Sequence, residues 1–281
     1  MSNFSDKVLS KASWAVEGFA WSFKRSFFKP DTQLTNAFSI GITTFMDRFE
    51  TCLKPLLAKL SVLFPDCQII VLANGHVRKQ EQAVYISEIE KYCNRFRNVQ
   101  LIAFYEPIGL SCLWNTIIKR SDTSSVLILN DDLRIKERFR SFISASGICD
   151  VQIATINRSW SHFMISKSVI NATGWFDENF LEIGGEDDDY LARLAMLGIK
   201  PGDFKTDTIS RSWRKSRRNP GINSYGRNMS KEAGGYSTLN VKYLYEKWDT
   251  SDEYFDGAVE VLGRKTRFWK LREQTQSDVR H

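Results

Sequence analysis

The run Gly184-Gly185-Glu186-Asp187-Asp188-Asp189 puts four acids side by side behind two glycines. One Asp is enough to cap a helix N-terminus, and acids in a first turn suit the helix dipole. Capping therefore accounts for one or two of these residues, not all four. Clustered carboxylates raise one another's pKa, which suits one of them to act as a general base, and the others can accept hydrogen bonds from sugar hydroxyls. The two glycines allow a ligand to approach the backbone closely. A second acidic group, Asn130-Asp131-Asp132, follows directly on the apolar run Ser125–Leu129. Carboxylates at the carboxyl end of a strand can hold a divalent cation against a diphosphate; the competing reading is a solvated turn, which Asn and Asp also favour.

Such groups have to be positioned by regular elements, and the apolar pattern supplies them. Phe38–Thr43, Gln68–Ala73, Val99–Phe104 and Ser125–Leu129 are short, continuous apolar runs that predict strands. Between them Thr51–Phe64, Val77–Arg97 and Leu110–Arg120 have helical character. Strands alternating with helices imply βαβ units around a parallel sheet buried on both faces. Beyond Asp132, Val151–Ile156 and His162–Ile165 predict further strands, and Tyr190–Leu197 a short helix ended by Gly198. In an open α/β sheet a ligand binds beyond the carboxyl ends of the strands. That singles out Thr43–Thr44, Asn74–Gly75, Glu106–Pro107 and Asn130–Asp132.

The 281 residues hold 39 Lys and Arg against 33 Asp and Glu, a net charge of +6, with 42% hydrophobic and 13% aromatic residues. This composition is globular and rules out collagenous or low-complexity chains. Five cysteines, none in a C-x-x-C pair, argue against a disulfide framework or a zinc ribbon and for reduced thiols in a cytosolic protein. The basic charge is concentrated. Residues 205–231 carry Lys205, Arg211, Arg214, Lys215, Arg217, Arg218, Arg227 and Lys231 against Asp207. This stretch reads as a lid over a diphosphate, a contact with anionic lipid, or a solvated charge run. Residues 1–36 mix Phe4, Trp14, Phe19, Trp21, Phe23, Phe27 and Phe28 with lysines and Arg25. A helix there either lies in a membrane interface or packs on the domain's back. Residues 251–281 form a polar basic tail.

The segments SIGITTF, IIVLANG, LILNDDL and GWFDENF followed by GGEDDDYLARL, in that order, resemble the GT-A glycosyltransferases, in particular the large family-2 group of inverting enzymes. The stretch Gly174–Leu194 is also similar to the acceptor motif of the β-1,4-galactosyltransferases. The resemblance spans about residues 38–250 and implies a GT-A catalytic domain over 37–250, with a donor half at about 37–135 and an acceptor half at about 136–250. It implies Asp187 as the catalytic base, with Glu186, Asp188, Gly185 and Trp175 on the acceptor. On the donor side it implies Thr43, Thr44, Phe45, Asn74, Asn130, Asp131, Asp132, His162 and Arg211, with Asp132 also meeting a divalent Mn2+ or Mg2+. Trp160 is expected to face the donor beside His162. The reaction implied is inverting transfer from a nucleotide-diphosphate sugar, UDP-sugars first, to a glycan or lipid-linked glycan in surface polysaccharide assembly. The expected location is cytoplasmic, with peripheral contact on the inner face of a membrane.

The chain departs from the pattern at three places. Ala73 stands where the family has an Asp near the nucleotide base, Asn130 replaces the first Asp of D-x-D, and Ile209-Ser210-Arg211 stands where a metal-binding His is usual. Arg211 is thereby a candidate to replace part of the cation's charge. The departures also allow a catalytically inactive scaffold that holds a partner. A nucleic-acid-binding module accounts for the basic runs but not for GGEDDD, which would repel phosphates. The chain contains no P-loop, G-x-S-x-G or strand-linked G-x-G-x-x-G motif.

Overall fold

A computed structural model describes residues 37–181, 183–211, 238–248, 259–261 and 264–266. The expectations for residues 1–36, for 212–231 of the basic segment and for most of the tail lie outside them.

The parallel half of the sheet is built from β1 (Ser39–Thr44), β2 (Ile69–Ala73), β3 (Val99–Ala103) and β4 (Ser125–Asn130). One strand, β7 (Ser159–Ser166), then runs antiparallel to both its neighbours, β4 and β6 (Ile153–Ile156), and β8 (Gly202–Phe204) pairs parallel with β6. The order is β3-β2-β1-β4-β7-β6-β8, a mixed and mostly parallel sheet of seven strands. A separate ribbon pairs β5 (Leu133–Ile135) with β9 (Ile209–Arg211), Leu133 opposite Arg211. A second ribbon joins β10 (Val259–Val261) to β11 (Arg264–Thr266).

Side chains alternate across the central strands, so β2 and β4 feed two cores and β1 feeds one. Ile40 and Ile42, Ile69 and Val71, and Leu127 and Leu129 enter one core, with helices α1 (Lys54–Leu63), α2 (Lys79–Cys93) and α4 (Phe139–Ser146). Ile70, Leu72, Val126 and Ile128 enter the other, with α3 (Leu110–Arg120), α5 (Lys167–Thr173) and α6 (Glu186–Met196). Burial on both faces is why the strands read as unbroken apolar runs. Helix α7 (Thr238–Lys247) packs Leu244 on Phe180 and Ala192 in a smaller cluster.

Three elements differ from the sequence pattern. The helix expected from Thr51 begins with a π-turn, Phe49–Leu53, before α1. The charged helix expected over Val77–Arg97 is shortened to Lys79–Cys93. The helix expected from Tyr190 starts four residues earlier at Glu186, so the acidic run is its first turn and not a preceding loop. Among the described residues no helix is long and apolar enough to cross a membrane.

Asn115, fully buried on α3, donates to the Phe176 carbonyl at 2.8 Å and accepts from the Phe176 N–H at 3.0 Å. It thereby ties the segment that leads to the acidic helix onto the sheet. Asn115→Ala strands both backbone groups and is expected to cost about 2–4 kcal/mol in urea unfolding. A loss below about 0.5 kcal/mol would show that the segment is held by other means.

Candidate active site

Winding reverses between β1 and β4. From β1 the chain moves to β2 and β3 on one side, and β4 adds on the other. The crevice beyond the carboxyl ends of this strand pair is where α/β sheets take ligands. Thr43 and Asn130 are paired across it, the Thr43 hydroxyl reaching Asn130 Oδ1 at 3.4 Å.

Below the crevice lies a buried ionic cluster. Asp131 is 1% exposed; its Oδ2 accepts from the Thr44 hydroxyl at 2.7 Å and its Oδ1 lies 2.6 Å from Arg48 Nη2. Thr44 in turn meets the Tyr85 hydroxyl at 3.0 Å. The same Arg48 nitrogen lies 3.4 Å from Asp132 Oδ2, and the guanidinium stacks on Phe45 with Cζ 4.5 Å from the ring centre. Burial pushes the Asp131 carboxyl up to about 7 against the pull of Arg48, while the neighbouring acids hold Arg48 charged. Nothing in the local sequence marks Arg48. It enters the site because the π-turn after β1 directs it onto the end of β4.

Asp132 keeps one buried oxygen, Oδ1, without a hydrogen-bond partner among the described residues. His162, opposite Leu129 in the β4–β7 register, keeps Nε2 in the same condition. Burial and the nearby Arg211 push the His162 pKa down to about 4, so the ring is neutral at pH 7. Its Nδ1 lies 2.9 Å from the Ser161 hydroxyl, which accepts from Arg211 Nε at 2.8 Å. The β5–β9 ribbon explains the position of Arg211, because pairing with Leu133 sets it beside the end of the acidic turn. Thr43, Thr44, Phe45, Asn130, Asp131, Asp132, His162 and Arg211 therefore gather around one strand end.

Asn74 lies on the neighbouring strand end, but its side chain is spent internally. It donates to the Ile108 carbonyl at 2.9 Å and accepts from the N–H groups of Gly75 and Ile108. Trp160 does not face the crevice. It is 6% exposed and packs on Phe163, Phe176 and Tyr190 in the second core, because the bulge between β6 and β7 at Thr155/Ile156 breaks the strict alternation of β7.

The second acidic group reaches the carboxyl-end side of the sheet by a close backbone approach. Gly109, at the start of α3, sits so near the Phe180 carbonyl that a Cβ would lie 2.1 Å from it. Phe180 is followed by the Gly184-Gly185 turn, with Gly185 at φ 90 as the residue before α6. The helical period then divides the four acids. Glu186 and Asp189 are buried, while Asp187 and Asp188 lie half-buried on the outer side.

The inner pair is structural. Asp189 bonds Arg193 at 2.9 Å and Lys247 at 2.8 Å, and accepts from the Trp248 indole. Arg193 donates to the carbonyls of Thr173 and Trp175, which anchors exposed Trp175 to α6, and Lys119 stands 4.8 Å over its ring. Glu186 accepts from the Gly184 N–H at 2.5 Å and closes the turn. Burial, then Asp187, pushes the Glu186 pKa up to about 8.

One buried polar atom in the donor-side cluster bears on a divalent cation. Asp132 Oδ1 is one carboxylate oxygen open to a cation, and Mg2+ is usually bound by one or two carboxylates together with substrate phosphates. Among the described residues no three His, Cys, Asp or Glu side chains converge as a metal site. The fit is to a cation completed by its ligand.

No family model matches the chain, and no curated protein matches it. Solved structures do. Residues 1–349 of S. aureus TarS align at 13% identity and TM-score 0.42, covering 62% of this chain. This chain spans 56% of the length of that one. The same region of TarS in complex with UDP-GlcNAc aligns at 12% identity and TM-score 0.42, over 77% of this chain and 74% of that one. The mannosyltransferase PcManGT from Pyrobaculum calidifontis, in complex with GDP-Man and Mn2+, aligns at 12% identity and TM-score 0.46, over 85% and 79%.

Glu186 keeps its proton in the folded chain at pH values where the unfolded chain has lost it. Its stabilisation is complete below about pH 4.5 and is lost as pH rises from there through about 8. The urea midpoint is therefore expected to fall from about pH 4.5, where this carboxyl ionises in the unfolded chain, to about pH 8, and Glu186→Gln to flatten that fall. An unchanged slope in Glu186→Gln would show that Glu186 does not hold this proton.

Proposed function

We propose that this protein is a GT-A glycosyltransferase that moves a sugar from a nucleotide-diphosphate donor to an acceptor hydroxyl with inversion. The observation that carries the reading is that two acidic groups follow the carboxyl-end side of the sheet, one directly after β4 and one beyond the Phe180 segment that packs on the loop after β3. Asn130–Asp132 stands at the β1–β4 crevice, and the outward acids Asp187 and Asp188 stand on the helix that arrives over Gly109. Residues 37–135 then form the donor half and 136–250 the acceptor half.

On the donor side, Thr43, Thr44, Phe45 and Asn130 line the crevice for the nucleoside, with Asp131 and Asp132 beneath the diphosphate. Neutral His162 suits this place, because its buried Nε2 can meet an uncharged sugar hydroxyl or a phosphate oxygen with no charge to desolvate. Arg211, on the exposed side of Ser161, adds positive charge toward the leaving diphosphate. Asn74 acts through its hold on the 104–109 loop. A divalent cation, Mn2+ or Mg2+, would be held by Asp132 and would neutralise charge on the departing diphosphate.

On the acceptor side, Asp187 takes the proton of the attacking hydroxyl, which displaces the nucleoside diphosphate from the opposite face of the anomeric carbon. One displacement inverts the centre and needs no covalent nucleophile. Asp188 accepts from neighbouring hydroxyls of the acceptor, and Trp175 offers an exposed ring face to a sugar. Glu186 and Gly185 hold the turn that presents them. The acceptor is a glycan or lipid-linked glycan, the setting surface polysaccharide assembly at the inner face of a membrane.

Turnover with a panel of sugar nucleotides and glycan acceptors tests this reading. Asp187→Asn is expected to lower kcat by about a hundredfold or more, the usual range for losing a general base, with nucleotide affinity unchanged. Trp175→Ala is expected to raise the acceptor KM and leave the donor KM alone. Full turnover by Asp187→Asn would remove it from the role of base.

A further inference from the structure

The acidic turn already contains a cation. Arg48, 6% exposed, lies between the two carboxylates, with Nη2 at 2.6 Å from Asp131 and 3.4 Å from Asp132. It is held there on three sides. The Phe45 ring lies under the guanidinium, the Cys52 thiol lies beside it, and the π-turn Phe49–Leu53 fixes its backbone. Single-turn π segments are frequent at functional sites. Asp131 has both oxygens engaged, one by Arg48 and one by Thr44. Asn130, the third residue of the turn, is neutral and bound to Thr43. What the turn can still offer is Asp132 Oδ1, beside a positive charge.

We propose that Arg48 is a resident counter-ion of the acidic turn that competes with a divalent cation for Asp131 and Asp132. The turn by itself then holds a free divalent ion poorly. A diphosphate, which brings its own oxygens, completes the site. This last step rests on the transferase reading; the competition between Arg48 and the ion does not. Arg48 is a positioning residue in this scheme, acting through the two aspartates.

Titration of the full chain with Mn2+ alone, read by the electron paramagnetic resonance signal of free Mn2+, tests the competition without nucleotide or turnover. Arg48→Met is expected to tighten Mn2+ binding by about tenfold or more, the scale on which groups behind the ligands tune a metal. Adding Asp132→Asn is expected to cancel the gain. Arg48→Met leaves Asp131 buried without its counter-ion and can cost the fold, so Arg48→Met with Asp131→Asn, which leaves no unpaired buried charge, is measured in parallel. Tighter Mn2+ binding in whichever of these variants folds supports the proposal. Wild-type chain that holds Mn2+ as tightly as the variants, or variants that gain nothing, would overturn it. A second titration adds UDP to the wild-type chain. Stronger Mn2+ uptake with UDP is expected; if UDP itself does not bind, the transferase reading fails and the result with Mn2+ alone still decides the role of Arg48.

Discussion

At the carboxyl ends of β1 and β4 a guanidinium and a carboxylate, both withdrawn from water, face each other at 2.6 Å. Each charge alone would be costly to bury, and removing one partner of such a pair typically costs about 3–5 kcal/mol, because the other is left uncompensated. The pair therefore constrains everything attached to it. It fixes the turn after β1, through Arg48 and the π-turn, against the turn after β4. It uses up Asp131 and leaves Asp132 at the mouth of the crevice. The strand reversal between β1 and β4 makes a cleft, and the ion pair determines which polar atoms that cleft presents.

The second acidic group is organised by helical geometry. In a loop, four consecutive acids would repel one another with no preferred orientation. In the first turn of α6 they meet the positive end of the helix dipole and separate into two inner and two outer side chains. The inner ones are neutralised in different ways. Asp189 is matched by Arg193 and Lys247, and Glu186 by its raised pKa and the Gly184 N–H. Helix α7 contributes beyond Lys247, since Asn240 donates to the Gly184 carbonyl and Tyr243 to Asp177. The outer pair is thus presented from a turn clamped on both sides.

Much of this was legible in the sequence because the informative patterns are local. Ile69–Ala73 and Ser125–Asn130 are buried on both faces, and double burial writes itself as an uninterrupted apolar run. Leu110–Arg120 has the same bounds in sequence and structure, since Gly109 and the polar Ser121–Ser124 stretch end its apolar period. The acidic groups stood out by composition alone. What was not legible depends on contacts distant in sequence. Arg48 is one of many arginines until β4 is placed beside β1. The three-residue strands of the β5–β9 ribbon are too short to show a period, yet they decide where Arg211 sits. The place of Trp160 before the GWFDE segment points it at the donor, and a bulge turns it into the core. The start of α6 is hidden in the sequence because its apolar period begins only at Tyr190, after four acids that carry no hydrophobic signal.

The central claim is that the β1–β4 crevice receives a nucleoside diphosphate, and calorimetric titration of the full chain with UDP, GDP and CMP, with and without Mn2+, tests it most directly. Binding of UDP or GDP, weak or absent binding of CMP because it lacks the second phosphate, and loss of the signal in Asp132→Asn is the predicted result. Failure of UDP and GDP to bind under either condition, or binding that is indifferent to the second phosphate and to Asp132, would contradict it.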